Sequence, residues 1–358
     1  MDVALVYNVK KDVAENEASV VLPSEQQHHA THTAPQSAPS SDAEAEWDTI
    51  ETIHAVRDAL SLRHSVTLIE ADENAFGSLR SSRPDIVFNI AEGKYGASRE
   101  AQIPAMLEML DIPYTGSDPL TLALCLDKSR AKEILSYYQV ATPRFVVVSS
   151  LDELRTADLP VPAMVKPLFE GSSKGIFDKS LVRTPQELTA QVTKVITEYA
   201  QPALVEEFLP GREFTVAMLG NGADLQVLPI VEIKFDSLPD GVNPIYSYEA
   251  KWIWDQSSNP LEIFECPAKV DNRLKTAIEN VCRRSYTVLR CRDWSRIDVR
   301  LDAAGNPNII EINPLPGILP KIEDNSCYPK AARMAGLNYQ QMLNAVLDVG
   351  MKRYGMIA

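Results

Sequence analysis

Residues 296–317, reading RIDVRLDAAGNPNIIEINPLPG, constrain the fold more than any other stretch, because they set two carboxylates and an amide among apolar residues that should be buried. In RIDVRL the alternation puts Arg296, Asp298 and Arg300 on one face of a strand and Ile297, Val299 and Leu301 on the other. Residues 302–307 read as a turn. In the returning run Glu311 and Asn313 share one face, with Ile310 and Ile312 opposite. A hairpin centred on Ala304 and Gly305 sets Asp298 across from Glu311 and Arg296 across from Asn313, with facing Cβ atoms about 4.5–5.5 Å apart. A three-residue loop with a bulge at Gly305 would instead displace the pairing by one.

Two carboxylates that close repel by on the order of a few kcal/mol at an effective dielectric of about 20. A divalent cation between them is one remedy, and Mg²⁺ commonly takes one or two carboxylates with phosphates and water. The other remedy is a solvated face on which Arg296 and Arg300 pair with the acids. Both readings stand at this level.

A chain of 358 residues supports two or three domains, and 45% hydrophobic with 23% charged content suits a folded protein without staples. The net charge of -14 argues against nucleic acid or an anionic membrane as partner. The five cysteines, Cys125, Cys266, Cys282, Cys291 and Cys327, form no C-x-x-C pair, so reduced thiols are expected. No run reaches the ~18 apolar residues of a membrane span, and the expected location is the cytoplasm.

From the N-terminus, a buried strand over 1–7 is followed at 24–46 by a polar stretch rich in Ser, Ala, Pro, Gln, Glu and His, expected to be a flexible insertion. His28, His29 and His32 within it read as solvated loop residues. Helical spacing resumes at Trp47, Ile50, Ile53 and Leu60, then SVTLIEA and DIVFNIA supply strands and 99–110 a helix. This βαβ rhythm reads as a Rossmann-like α/β domain over 1–120, but without a G-x-G-x-x-G dinucleotide loop. A helix over 120–138 leads to a second α+β unit, 121–219, containing PAMVKP, the loop FEGSSKGI, a helix over 185–199, and ALVEEFLPGREFTVAML as two strands about a Pro-Gly turn. The third unit, 220–358, holds strands within 227–235, an irregular stretch over 236–259, helices over 271–289 and 338–351, and the hairpin between them.

FEGSSKGI offers backbone N–H and Ser hydroxyl groups suited to phosphate oxygens, with Gly171 and Gly175 letting the backbone close in; an ordinary surface hairpin has the same composition. Lys128, Lys166 and Lys251 each sit beside apolar or aromatic residues. Singly they read as snorkelling lysines. With paired carboxylates and a glycine-serine loop they make a set suited to a nucleoside triphosphate and Mg²⁺. His54 and His64, the only histidines outside the insertion, offer no Ser-His-Asp set.

The ordered motifs LDK, VKP-x-x-x-GSS-x-G, EEFLPGREFTV, YSYEAKW, RIDVRLD and EINPLPG resemble the ATP-grasp superfamily, and within it the D-alanine:D-alanine ligases, from residue 85 to the C-terminus. The resemblance implies an α/β (α+β ATP-grasp) fold with two α+β subdomains enclosing ATP. It implies that Lys128 and Lys166 hold the α- and β-phosphates under a loop bearing Ser172, Ser173 and Gly175. Glu206, Glu207 and Leu209 would line the adenine edge, Glu213 would take the ribose hydroxyls, and Lys251 would reach the γ-phosphate. Asp298, Glu311 and Asn313 would bind two Mg²⁺ ions, Mn²⁺ being an alternative. Arg296 and the Gly317 N–H would stabilise a tetrahedral intermediate. Ser326 matches the position that holds the second substrate's carboxylate, and Trp252 stands where the family has Tyr or Phe. The implied reaction joins a carboxylate to an amine through an acyl phosphate, on small-molecule amino acid or carboxylate substrates, in a homodimer.

The departures lie on the acyl-donor side. The family's N-terminal glycine-rich segment, whose glutamate grips the donor ammonium, has no counterpart that can be matched in VYNVKKDVAENEASVV. The hydrogen-bonded trio that Ser172 normally joins is therefore not expected, the HGGxGEDG-like segment is AEGKYGAS, and ILPKIEDN adds residues between Gly317 and Ser326. A ligase with a different donor is the reading these changes favour. A D-alanine:D-alanine ligase with an unusual N-terminus and a catalytically silent nucleotide-binding protein are the alternatives.

Overall fold

The computed structural model describes residues 1–10, 46–154, 160–255 and 260–358. The three insertion histidines and residues 24–45 lie outside the described residues. The first unit is a parallel sheet of β1 (Asp2–Tyr7), β2 (Ser65–Glu70) and β3 (Ile86–Asn89) in the order β2-β1-β3. Its helices are α1 (Ile50–Ser61), α2 (Ala75–Ser82) and α3 (Gln102–Leu110). Alternate residues of β1 feed two cores: Val3 and Leu5 pack with Ile53, Val56 and Leu60 of α1, whereas Ala4 and Val6 pack with Leu79, Ile103 and Leu107. Both faces of the sheet are thereby covered, as a parallel sheet requires.

The segment expected as one helix over 120–138 is two, α4 (Pro119–Leu126) and α5 (Lys128–Tyr137), broken at Asp127. The Asp127 carboxylate accepts from the Ser129 and Arg130 N–H groups at 3.0 and 3.2 Å, capping α5. The break turns Lys128 inward at the first position of α5. Asp127→Ala is expected to cost about 1 kcal/mol of stability in a urea titration.

Two further sheets follow. A four-stranded sheet runs β4-β7-β5-β6 (Phe145–Val148, Ala203–Glu207, Ala163–Pro167, Leu181–Val182). Behind a short α6 (Leu151–Leu154), α7 (Pro185–Glu198) covers one face, packing Leu188, Val192 and Val195 on Val148, Val165 and Val205. A six-stranded sheet contains β8 (Glu213–Leu219), β9 (Gln226–Val227), β10 (Val231–Ile233), β11 (Phe264–Glu265), β12 (Trp294–Leu301) and β13 (Pro307–Asn313). The two strands expected as a pair about the Pro-Gly turn therefore part company: β7 stays in the smaller sheet and β8 joins β12. At the crossover Gly211 donates to the Leu301 carbonyl at 3.0 Å, and a Cβ there would come within 2.7 Å of the Leu301 side chain. The sheet boundary thus falls before β8 rather than at 219.

Between these sheets the stretch expected to be irregular holds a wide helical turn, Glu249–Trp254. α8 (Asn272–Val288) covers the back of the large sheet with Ile278, Val281 and Cys282, while α9 (Cys327–Met334) and α10 (Tyr339–Arg353) close the chain. Trp294, fully buried, packs edge-on against Phe88 and Tyr328 at 5.8 and 5.4 Å and links the first sheet to the large one. Among the described residues no helix is long and apolar enough to cross a membrane.

The β12–β13 hairpin sets Asp298 opposite Glu311 and Arg296 opposite Asn313, but Val299 opposite Ile309 and Leu301 opposite Pro307. The turn is therefore displaced by one residue. Asp302 Oδ1 accepts from the Ala304 and Asn306 N–H groups at 2.9 and 2.8 Å, and Gly305 has a φ of +83°. A bulge at Ile310 takes up the extra residue and restores the pairing at the acids. Ile310, expected on the buried face, instead turns with Glu311 into a cleft.

Candidate active site

The two α+β sheets face one another across a cleft of about 210 Å³. Met164 and Lys166 of β5 and Glu206 and Glu207 of β7 form one wall; Glu213 and Thr215 of β8 and Arg296, Asp298 and Arg300 of β12 form the other. Ser172, Ser173, Lys251 and Trp252 also line it, as do Leu209, Gly317 and Ser326. A second cavity of about 80 Å³ adjoins it, lined by Asp48, Glu92, Glu100, Lys128 and Asn313 among others. Ser172, Lys251, Arg296, Glu311 and Gly317 border both.

Electrostatics explain how these charges coexist. Glu206, at 2% exposure, lies between Lys132 and Lys166, with N–O distances of 2.9 and 2.5 Å. Burial alone would push its carboxyl up, but the two ammonium groups outweigh it and hold the carboxyl down at about 2. Glu311 pairs with Lys128 at 2.8 Å. Asp298 is gripped by Arg296 Nε and Nη2 at 3.1 and 3.0 Å and accepts from Asn313 Nδ2 at 3.3 Å. Glu213 accepts from Arg300 Nη1 at 2.6 Å, and the Arg300 guanidinium is fixed by Pro244 O and by the Phe208 ring. Burial, and then the charge of Arg296, depress Lys251 to about 8, so it stands ready to gain an anionic partner.

The glycine-serine loop is held in an unusual backbone: Ser172 and Ser173 have φ of 50° and 61°. Trp252 Nε1 donates to the Ser172 carbonyl at 3.1 Å and Ser173 Oγ to the Tyr246 carbonyl at 3.0 Å. Gly175, with φ +74°, passes so close to Pro167 that a Cβ would lie 2.3 Å from its ring. Ser326 is engaged within its own loop, its hydroxyl donating to Gly317 O at 3.1 Å and accepting from Leu319 N at 3.2 Å. Open space lies beside the Gly317 Cα.

Oxygen donors on neighbouring strands, Asp298, Glu311 and Asn313, suit a hard cation. Their negative charges are now balanced by Arg296 and Lys128. Among the described residues no three His, Cys, Asp or Glu side chains form a metal cage. Two carboxylates completed by phosphate and water is the manner of Mg²⁺, so the donor set fits it.

Several residues here escaped the sequence reading. Lys132 sits one helical turn beyond Lys128, a spacing that carries the signal for a shared face. Glu46 has no such signal, since it is the last residue of the stretch expected to be a flexible insertion, yet its side chain is buried. Its carboxylate is clamped by Arg99 Nη2 at 2.8 and 2.6 Å and accepts from Gly171 N–H, in the space a Cβ on Gly171 would fill. Arg99 Nη1 also donates to Phe169 O at 2.7 Å, which ties the first unit to the glycine-serine loop.

Residues 136–348 match the family described as D-ala D-ala ligase C-terminus. The chain is 33% identical over 283 residues to a D-alanine–D-alanine ligase of Bordetella petrii, covering 78% of this chain and 80% of that protein. It is 38% identical over 299 residues to an uncharacterized protein of Sinorhizobium fredii, covering 81% and 84%. In fold it resembles the Bacillus anthracis D-alanine–D-alanine ligase complexed with ATP, with a TM-score of 0.69 at 20% identity over 99% of both chains. It likewise resembles the VanG D-Ala:D-Ser ligase of Enterococcus faecalis, with a TM-score of 0.67 at 22% identity over 98% and 99%. With the paired sheets, the buried lysines and the hairpin acids, these likenesses settle the family: the chain belongs to the D-alanine:D-alanine ligase-like group of ATP-grasp enzymes, ATP-dependent ligases that form C–N bonds.

Proposed function

We propose that this ligase couples a donor carboxylate to an amine through an acyl phosphate, and that its donor side differs from that of a D-alanine:D-alanine ligase. The observation that carries the reading is the convergence of Lys251, Arg296 and Glu311 on the boundary between the two cavities. The larger cleft is the nucleotide side. Lys166 in this cleft and Lys128 in the adjoining cavity would neutralise phosphates, together with the loop bearing Ser172, Ser173 and Gly175; Glu213 would take the ribose. Because the Glu206 carboxylate is committed to two lysines, flanking the base falls to Glu207 and Leu209.

Two Mg²⁺ ions, or Mn²⁺, at Asp298, Glu311 and Asn313 would supply charge neutralisation during phosphoryl transfer. Lys251 would draw the transferred phosphoryl group, Arg296 and the Gly317 N–H would face the tetrahedral oxyanion, and Ser326 and Trp252 would border the incoming amine. The closed loop keeps water from the activated acyl group. Three units, the second and third divided before β8 with the cleft between them, and a homodimeric assembly complete the proposal.

Two of the named relatives are D-alanine–D-alanine ligases, so D-alanine as both donor and acceptor is the second reading. Phosphate release with D-alanine as sole amino acid separates the readings: turnover below about a hundredth of that with the preferred acid is expected, since each 1.4 kcal/mol of lost transition-state binding is tenfold. Vigorous turnover with D-alanine alone would show the donor side to be ordinary.

A further inference from the structure

We propose that the smaller cavity is a donor subsite for a diamino acid, a carboxylic acid with a cationic side chain beyond its α-ammonium group. This rests on the ligase reading above and names the substrate class of that site.

The argument is an inventory of charge. Of the acids lining the cavity, Glu46 is neutralised by Arg99 and Glu311 by Lys128. Asp48, Glu92 and Glu100 remain, and none of the three makes a side-chain hydrogen bond or ion pair among the described residues. Glu100 is 9% exposed and borders the cavity, so water offers it little. Burial, followed by the charge of Glu46, pushes it up to about 8; burial and then Glu100 push Glu92 up as well, and burial raises Asp48 to about 7. Carboxylates in that condition gain most from a cation that enters with the substrate.

The metal ions proposed above are assigned to Asp298, Glu311 and Asn313, so Asp48, Glu92 and Glu100 are left for a cation of another kind. An organic ammonium, reaching several acceptors by separate hydrogen bonds, suits three acids lining one cavity. One ammonium leaves two of the three acids without a cationic partner, whereas a second ammonium takes up another. The basic residues Arg296 and Lys251 also line the cavity, and the donor carboxylate must sit beside them to be activated. A cavity of about 80 Å³ favours a short side chain. The bond changes are the family's own: a donor carboxylate oxygen takes the γ-phosphoryl group as ADP leaves. The acceptor nitrogen then bonds to the carbonyl carbon, and inorganic phosphate and a proton depart.

The test compares 2,4-diaminobutyrate with 2-aminobutyrate, both enantiomers of each, as donors with ATP, Mg²⁺ and a mixture of amino acid acceptors. ADP is measured and products are identified by mass. Calorimetry with a non-hydrolysable ATP analogue reads binding separately. Diaminobutyrate is expected to exceed aminobutyrate at least about tenfold in kcat/KM and in affinity, a difference of about 1.4 kcal/mol. Glu100→Gln should erase that preference; should it fail to fold, the more exposed Glu92→Gln and Asp48→Asn read the same quantity. Equal or better use of 2-aminobutyrate overturns the diamino acid and leaves the ligase reading intact. Binding of diaminobutyrate that is lost in Glu100→Gln, with no ADP from any acid, supports the subsite and overturns the coupling reaction. Neither binding nor turnover overturns both.

Discussion

Glu206→Gln is expected to lower stability by about 3–5 kcal/mol, the usual cost of removing one partner from a buried ionic group. The reason is that it strands two ammonium groups at once: Lys132 and Lys166 are 2% and 3% exposed and have no other carboxylate within ion-pair distance among the described residues. Thr142, at 2.9 Å from Lys132, offers only a neutral oxygen. By comparison Glu133→Gln, which breaks the exposed pair with Arg130, is expected to leave the urea midpoint nearly unchanged. Urea titration of the two variants measures the contrast.

The same triad sets an acid limit. With its carboxyl held at about 2 in the fold against an ordinary 4.5, Glu206 binds fewer protons folded than unfolded. Its contribution, on the order of 3 kcal/mol, is fully present above about pH 4.5 and is lost as pH falls toward about 2. Glu206→Gln should therefore flatten that part of the stability profile. An unchanged acid limb would show that the lysines do not hold Glu206 ionised.

Asp298→Asn is expected to lower kcat for ATP-dependent coupling by about 10²–10³-fold, the magnitude seen when one preorganised charge-stabilising group is removed. The proposed metal set would lose a negative oxygen, and Arg296 would lose the carboxylate that aims it. The KM for ATP should change much less, because Lys166, Glu213 and the glycine-serine loop are untouched. Glu311→Gln should act alike and also free Lys128. A shift of the Mg²⁺ requirement to higher concentration distinguishes a metal ligand from a residue that only positions Arg296. Full activity in either variant would remove the metal assignment.

How much was legible without coordinates differs between the two sides of the site. The hairpin acids, the three lysines and the glycine-serine loop lie in short motifs whose alternation and spacing already say which side chains share a face. Local turn chemistry was legible only in part. The Asp302 turn displaces the hairpin by one residue and the bulge at Ile310 restores it, two opposed irregularities that no periodicity reveals. Asp127 likewise reads as one more polar residue in a helix until its carboxylate is seen capping α5.

The donor side was not legible, since its parts come from distant segments. Glu46 ends the insertion and Asp48 follows it, Glu92 and Glu100 flank an exposed loop, and only the tertiary fold brings them to one cavity. Sequence alone determined the family, because the motifs that carry the resemblance are short and their order is read without coordinates. The tertiary structure decided the charge balance of the donor cavity, because whether an acid is paired, buried or free depends on which distant group folds against it.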